Sequence, residues 1–147
     1  MNEIPKTIDE LEDAVEEIDV PHERIILTFR NFIKKLASEG RFANISNAEL
    51  DPLLRYLNME LISSALESNE LRSQSNLELA RLASHSKNND PYYHLARCVR
   101  LIYVDSLEWE RVAQDTLLFS FFFHLIRIFD DIETEFVKYF SDALLCK

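Results

Sequence analysis

The chain has 147 residues, 47% of them hydrophobic, and a formal net charge of −10, which fits one globular domain with room for a core and argues against wholesale disorder. Its acidity sits at the two ends: residues 1–24 carry −7 and residues 128–147 carry −3, while residues 25–127 hold twelve acidic and twelve basic side chains. That distribution speaks against nucleic acid or an anionic membrane as the main partner, and the single glycine, Gly40, excludes Walker A loops, dinucleotide fingerprints and GxSxG elbows, all of which need glycine at set positions.

Helix signals follow one another along the chain, with no sustained two-residue alternation. Thr7 and Glu10 form a capping-box pattern, and Ile8, Leu11, Ala14, Val15 and Ile18 make one apolar face, so the first helix is predicted over Ile8 to Ile18. Pro21 opens a second helix, in the position a first turn favours. Its core face is Ile25, Ile26, Phe29, Phe32, Ile33 and Leu36, and Gly40 supplies a left-handed stop. Arg41 to Ala48 reads as a connection with a short turn, since Ser46 and Glu49 again match a capping box. Asp51 and Pro52 then read as cap and first residue of a third helix burying Leu54, Leu57, Leu61, Ile62 and Ala65.

A fourth helix is predicted over Asn76 to Ala83, and the wholly polar Ser84 to Asp90 is the best loop signal in the chain. Asp90 and Pro91 repeat the cap-plus-proline device and start a fifth helix through Tyr103. A sixth, residues 106–129, is capped by Asp105 and Glu108 and ends in the run LLFSFFFHLIRIF, Leu117 to Phe129. It is apolar nearly all round, so it needs neighbours on most sides and is expected to be the central strut. It is too short an apolar run to span a bilayer, and it carries Arg127. The seventh helix carries Ile132, Phe136, Val137, Phe140 and Leu144.

The expected fold is therefore all-α, a single domain of about seven helices around residues 106–129, with an acidic helix 8–18 and a helical body 21–147. Two arrangements suit this pattern. One resembles a short stack of HEAT or armadillo-like helix pairs; the other resembles a Bcl-2-like bundle around a buried helix, in architecture and without the glycine-containing signature of that group.

Catalytic patterns are sparse. His22, His85, His94 and His124 are scattered without HExxH or Cys/His ligand spacing, and the Glu-x-x-His pairs of a di-iron bundle do not occur. No catalytic residue, metal site or cofactor is assigned. His124 alone stands in a strongly apolar setting, where a satisfied core histidine is the expected role. With Ser120 and Arg127 it forms a candidate polar stripe on the sixth helix, with Arg127 spaced to pair with Asp131. Cys98 reads as a small core residue, and the Cys98 and Cys146 pair suits a reducing compartment.

The leading expectation is a non-enzymatic protein-interaction module, a regulatory or assembly subunit. Its contact residues are Asp9, Glu12, Asp13, Glu16 and Glu17 on the first helix, which suit a basic protein partner, together with Trp109. Two alternatives stand beside it. One is a Mg²⁺-dependent helical nucleotide pyrophosphohydrolase that uses the acid-x-x-acid pairs of the first helix and Asp130 with Glu133. The other is a binder of apolar ligand lined by the phenylalanines. A homo-oligomer through the C-terminal helix is expected if Phe136, Tyr139, Phe140, Leu144 and Leu145 exceed what one neighbour covers. The N-terminal MNEIPKTIDELED has neither the basic head nor the apolar stretch of a signal peptide, so a cytoplasmic or nuclear location is expected.

Overall fold

The computed structural model describes residues 4–84, 91–104 and 116–145. These form eight α-helices: α1 Ile8–Glu17, α2 His22–Ser38, α3 Asn47–Leu54, α4 Met59–Glu67, α5 Asn69–Ser84, α6 Pro91–Leu101, α7 Leu117–Ile126 and α8 Glu133–Leu144, with one 3-10 turn, Arg55–Leu57, between α3 and α4. There is no strand among the described residues. The all-α expectation is met, and a single buried cluster draws side chains from every helix.

The first two helices stop by the same device. At the end of α2 the Arg41 N–H reaches the Leu36 carbonyl and the Gly40 N–H the Ala37 carbonyl, both at 3.0 Å. This paired closure places its second-last residue in the left-handed region, and Gly40 has φ +71. After α1 the same pair of bonds joins Val20 to Val15 and Asp19 to Glu16. Asp19 there adopts φ 55, a conformation aspartate tolerates better than most residues because its short carboxylate bonds locally.

The middle of the chain departs from expectation. Ser46 is the true start of α3: it is extended, and its hydroxyl accepts the Glu49 N–H at 3.3 Å. Pro52 consequently lies inside the helix instead of opening it. A proline there cannot donate to the carbonyl four residues back, and α3 gives way to the 3-10 turn at Arg55. Asn58 then restarts the chain as a cap, its side-chain oxygen accepting the Leu61 N–H at 3.1 Å. The predicted third helix is thus two. Likewise α5 begins at Asn69, where the Ser68 hydroxyl accepts the Leu71 N–H at 3.2 Å.

The predicted helix 106–129 is also shorter than expected. Thr116 is extended and caps α7 by accepting the Phe119 N–H at 3.1 Å, so no helix runs unbroken through that position. Its predicted caps Asp105 and Glu108, and the loop residues 85–90, lie outside the described residues. α7 packs against α1, α6 and α8, and Phe121 stacks nearly parallel, at 18°, on Phe29 of α2. One side stays open, where Phe123 is 42% exposed. The more enclosed element is α6, which buries seven of its eleven residues against five of ten in α7 and packs against α3, α5 and α7.

The space between α2, α7 and α8 is filled by rings. Phe136 and Phe140 stack at 4.3 Å, Phe32 meets Phe136 edge-on at 5.6 Å, and Phe122 meets Phe136 at 5.6 Å. Aromatic pairs in these arrangements add to their area burial. This packing takes up part of the apolar face of the last helix. Phe136, Phe140 and Leu144 are buried within the chain, which leaves Tyr139 and Leu145 half-buried at its edge.

At the rim, Glu135 of α8 joins Lys35 of α2 at 3.2 Å and Arg41 at 3.1 Å, with Glu39 closing the group at 2.9 Å from Lys35. These two cations hold the Glu135 carboxyl below the usual range against the opposing effect of burial. All four side chains remain about one-third exposed or more, so the network is a weak clasp. Glu135→Gln should cost about 0.5–1 kcal/mol in urea unfolding at low salt. The difference should shrink in about 1 M NaCl, where screening is nearly complete.

Candidate functional site

α1 docks through Ile8, Leu11 and Val15 onto α7 and α8. Two polar ties fix it: the Ile8 N–H donates to Glu133 of α8 at 3.1 Å, and the Thr116 hydroxyl donates to the Glu12 carboxylate. Because hydrophobic residues recur every three or four positions, the acids between them are turned outward. Asp9, Asp13, Glu16 and Glu17 are all exposed, whereas Glu12 is half-buried. None of those four exposed acids forms an ion pair among the described residues. The internal cations that could have covered this face, Lys34, Lys35, Arg97 and Arg100, do not reach it: Lys35 bonds Glu39 and Glu135, and Arg100 donates to Asn76 at 2.9 Å. Trp109 lies outside the described residues.

The acid-x-x-acid pairs do not converge. Among the described residues no three His, Cys, Asp or Glu side chains gather where a metal ion could sit. Nor is any helix among them long and apolar enough to cross a membrane.

The polar stripe of α7 is divided between two environments. Arg127 is exposed just past the helix end, its guanidinium 5.0 Å from the centre of the Phe123 ring. The predicted ion pair with Asp131 does not form, since α7 has ended at Ile126 and a helical i,i+4 spacing no longer holds. Ser120 is half-buried, and His124 faces α6. There its Nδ1 lies 3.1 Å from Nδ1 of His94, which is 7% exposed. Two ring nitrogens at that distance share one hydrogen, one imidazole donating Nδ1–H and the other accepting on its lone pair. The rings are flanked edge-on by Tyr93 at 5.1 Å and Phe123 at 5.5 Å.

Burial, then the charge of Arg97, then His94 and Arg127, lower His124 to about 4. It is therefore neutral at neutral pH. One turn beyond His94, the fully buried Cys98 thiol points at the Phe121 carbonyl, 3.9 Å away, and burial pushes its pKa up. A thiol so placed is a core residue and not a nucleophile.

The His94 partnership was not foreseen from the sequence, although a signal for it exists. Residues 94–97 read His-Leu-Ala-Arg and residues 124–127 read His-Leu-Ile-Arg. In both copies the leucine is fully buried, which pins the preceding histidine to the helix–helix seam and leaves the arginine, three residues on, at its edge. No protein family, curated protein or solved structure matches this chain.

Proposed function

We propose that this protein is an interaction module, a regulatory or assembly subunit that offers the acidic face of α1 to a basic surface of a protein partner. The observation that carries this reading is the outward face itself. Asp9, Asp13, Glu16 and Glu17 lie along two and a half turns, exposed and without an internal cation. Like charges so close repel and weaken the helix, an expense the fold offsets through the Thr7 cap and the Glu133 tie. Ile4 and Ile18, 75% and 51% exposed, bracket the face with apolar contact area. A positive partner would be steered to it at rates that fall with ionic strength.

The test is capture from native extract with the full chain and with a variant carrying Asp9→Asn, Asp13→Asn, Glu16→Gln and Glu17→Gln, followed by titration of the purified partner. A stoichiometric partner should bind the native chain at least about tenfold more tightly than the variant, with affinity falling as salt rises. Equal binding by both would move the contact off α1, and the absence of any stoichiometric partner would defeat the module itself.

A further inference from the structure

α1 is attached to the fold as an arm. Its apolar residues Ile8, Leu11 and Val15 pack on α7 and α8 more than on α2, the helix that follows it directly. Its polar ties run the same way, from the Ile8 N–H to Glu133 and from Thr116 to Glu12, across 125 and 104 residues of sequence. The covalent link to α2 is short, Ile18 to Pro21, with Ile18, Asp19 and Pro21 exposed and Val20 half-buried. To close that link the Asp19 N–H reaches the Glu16 carbonyl at 3.1 Å and the Val20 N–H the Val15 carbonyl at 3.3 Å. Asp19 stands at φ 55 to allow it.

A contact between a terminal helix and a remote part of its own chain is made equally well by the same helix of a second copy, because every docked group is identical. The two closures differ in the hinge. Closed on itself, the chain keeps Asp19 left-handed, which is costly for a residue with a β-carbon even though aspartate bears it better than most. Reaching across to a second copy, the hinge extends and Asp19 returns to ordinary backbone. Four extended residues span about 13–14 Å, enough to carry α1 onto a neighbour.

We propose that α1 is an exchangeable arm, and that two copies of this chain pair by trading it, each α1 lying on the α7–α8 surface of the other. The occupant is a second copy, and its fit is the one the single chain displays. The acidic face of α1 still points outward after the exchange, so this inference stands apart from the partner proposed for that face. Short hinges cross close together, which brings the two Ile18 side chains near each other, 51% exposed in the single chain. Glu16, Glu17, Asp19 and Glu23 of each copy, all exposed, surround that crossing. Their repulsion opposes pairing, so the dimer strengthens as salt rises, the reverse of a basic partner held by the acidic face. A tethered arm rebinds with an effective concentration in about the millimolar range, so pairing belongs to concentrated solution.

The test holds the full chain at about 1 mM in about 0.5 M NaCl, warms it to just below its unfolding midpoint so that α1 exchanges, and cools it. Size exclusion with light scattering should then show a dimer, less abundant when the same step is run at low salt. Dimers formed from a mixture of ¹³C-labelled and unlabelled chains should give isotope-filtered Overhauser contacts from the Ile8, Leu11 and Val15 methyls of one chain to α7 and α8 of the other. The hinge supplies the graded control. Asp19→Gly, at ease in the left-handed region, should lower the dimer fraction at least about threefold, and Asp19→Val, a genuine outlier there, should raise it at least about threefold. The proposal fails if the chain stays monomeric throughout, or if a dimer forms without those contacts between chains. It fails equally if the glycine and valine variants pair to the same extent.

Discussion

Phe29→Ala is expected to remove about 3–5 kcal/mol of stability, the cost of deleting a fully enclosed aromatic ring that its surroundings cannot refill. Phe29 is 0% exposed, lies flat on Phe121 of α7 and stands 6.3 Å from the Phe140 ring of α8. One side chain thus joins three helices, and none of them can move into the gap without leaving its other contacts. Against a total of about 5–15 kcal/mol for an ordinary domain, such a loss is a large share of the whole and lowers Tm by roughly 10–15 °C. Urea unfolding would show it as a lower midpoint at unchanged slope. Leu77→Ala is the control: Leu77 is 71% exposed, and its removal should fall within about 0.5 kcal/mol of no effect. A loss below about 1 kcal/mol for Phe29→Ala would mean that the rings do not pack as described.

The second large effect is on pH dependence. His124 is lowered from 6.5 to about 4, first by burial and then by Arg97, His94 and Arg127. Between those values the unfolded chain holds a proton on this ring that the folded chain does not. Stability from this group is therefore complete above pH 6.5 and declines as the pH falls toward 4. Full linkage of such a drop is about 3 kcal/mol, and solvent screening of a half-buried ring reduces it to about 1–2 kcal/mol. Unfolding midpoints measured from pH 7 to pH 4.5 should fall accordingly in the native chain. In His124→Gln the decline over that interval should be largely gone. If the variant shows the same slope, the proton is being taken up elsewhere.

The parts of this fold that are legible in the sequence are those governed by a few adjacent residues. Thr7 with Glu10 and Ser46 with Glu49 spell out capping boxes within four positions, and both open helices where they stand. Asn58, Ser68 and Thr116 are caps as well, but the third residue after each is Leu61, Leu71 or Phe119. Without the reciprocal Glu or Gln the pattern is one polar residue, which also reads as loop or as helix interior. Pro52 misleads for a related reason. Its preference for a first turn is real, yet the Ser46 box four residues upstream of Leu50 nucleates earlier and carries the helix through it. The burial of Phe136 and Phe140 follows from periodicity alone, while their partners on α2 do not.

The candidate sites divide along the same line. That Asp9, Asp13, Glu16 and Glu17 face outward is a property of one helix and is readable from its spacing. That Glu12 turns to Thr116, 104 residues away, is a property of docking. The His94–His124 contact is of the second kind: thirty residues separate the rings, and only the repeated His-Leu-x-Arg hints that one seam holds both.

The two left-handed stops, at Gly40 and Asp19, have a consequence for the chain before it folds. A domain of this length with average composition would contain about ten glycines; this one places its single glycine where φ is +71 and, among the described residues, uses an aspartate for the other positive φ. Each glycine replaced by a residue with a side chain removes about 0.4–1 kcal/mol of backbone freedom from the unfolded ensemble. Nine such replacements amount to roughly 4–9 kcal/mol, as large as the net stability of many domains. Much of what keeps this protein folded is thus exerted on the disordered chain, which has comparatively few conformations to return to.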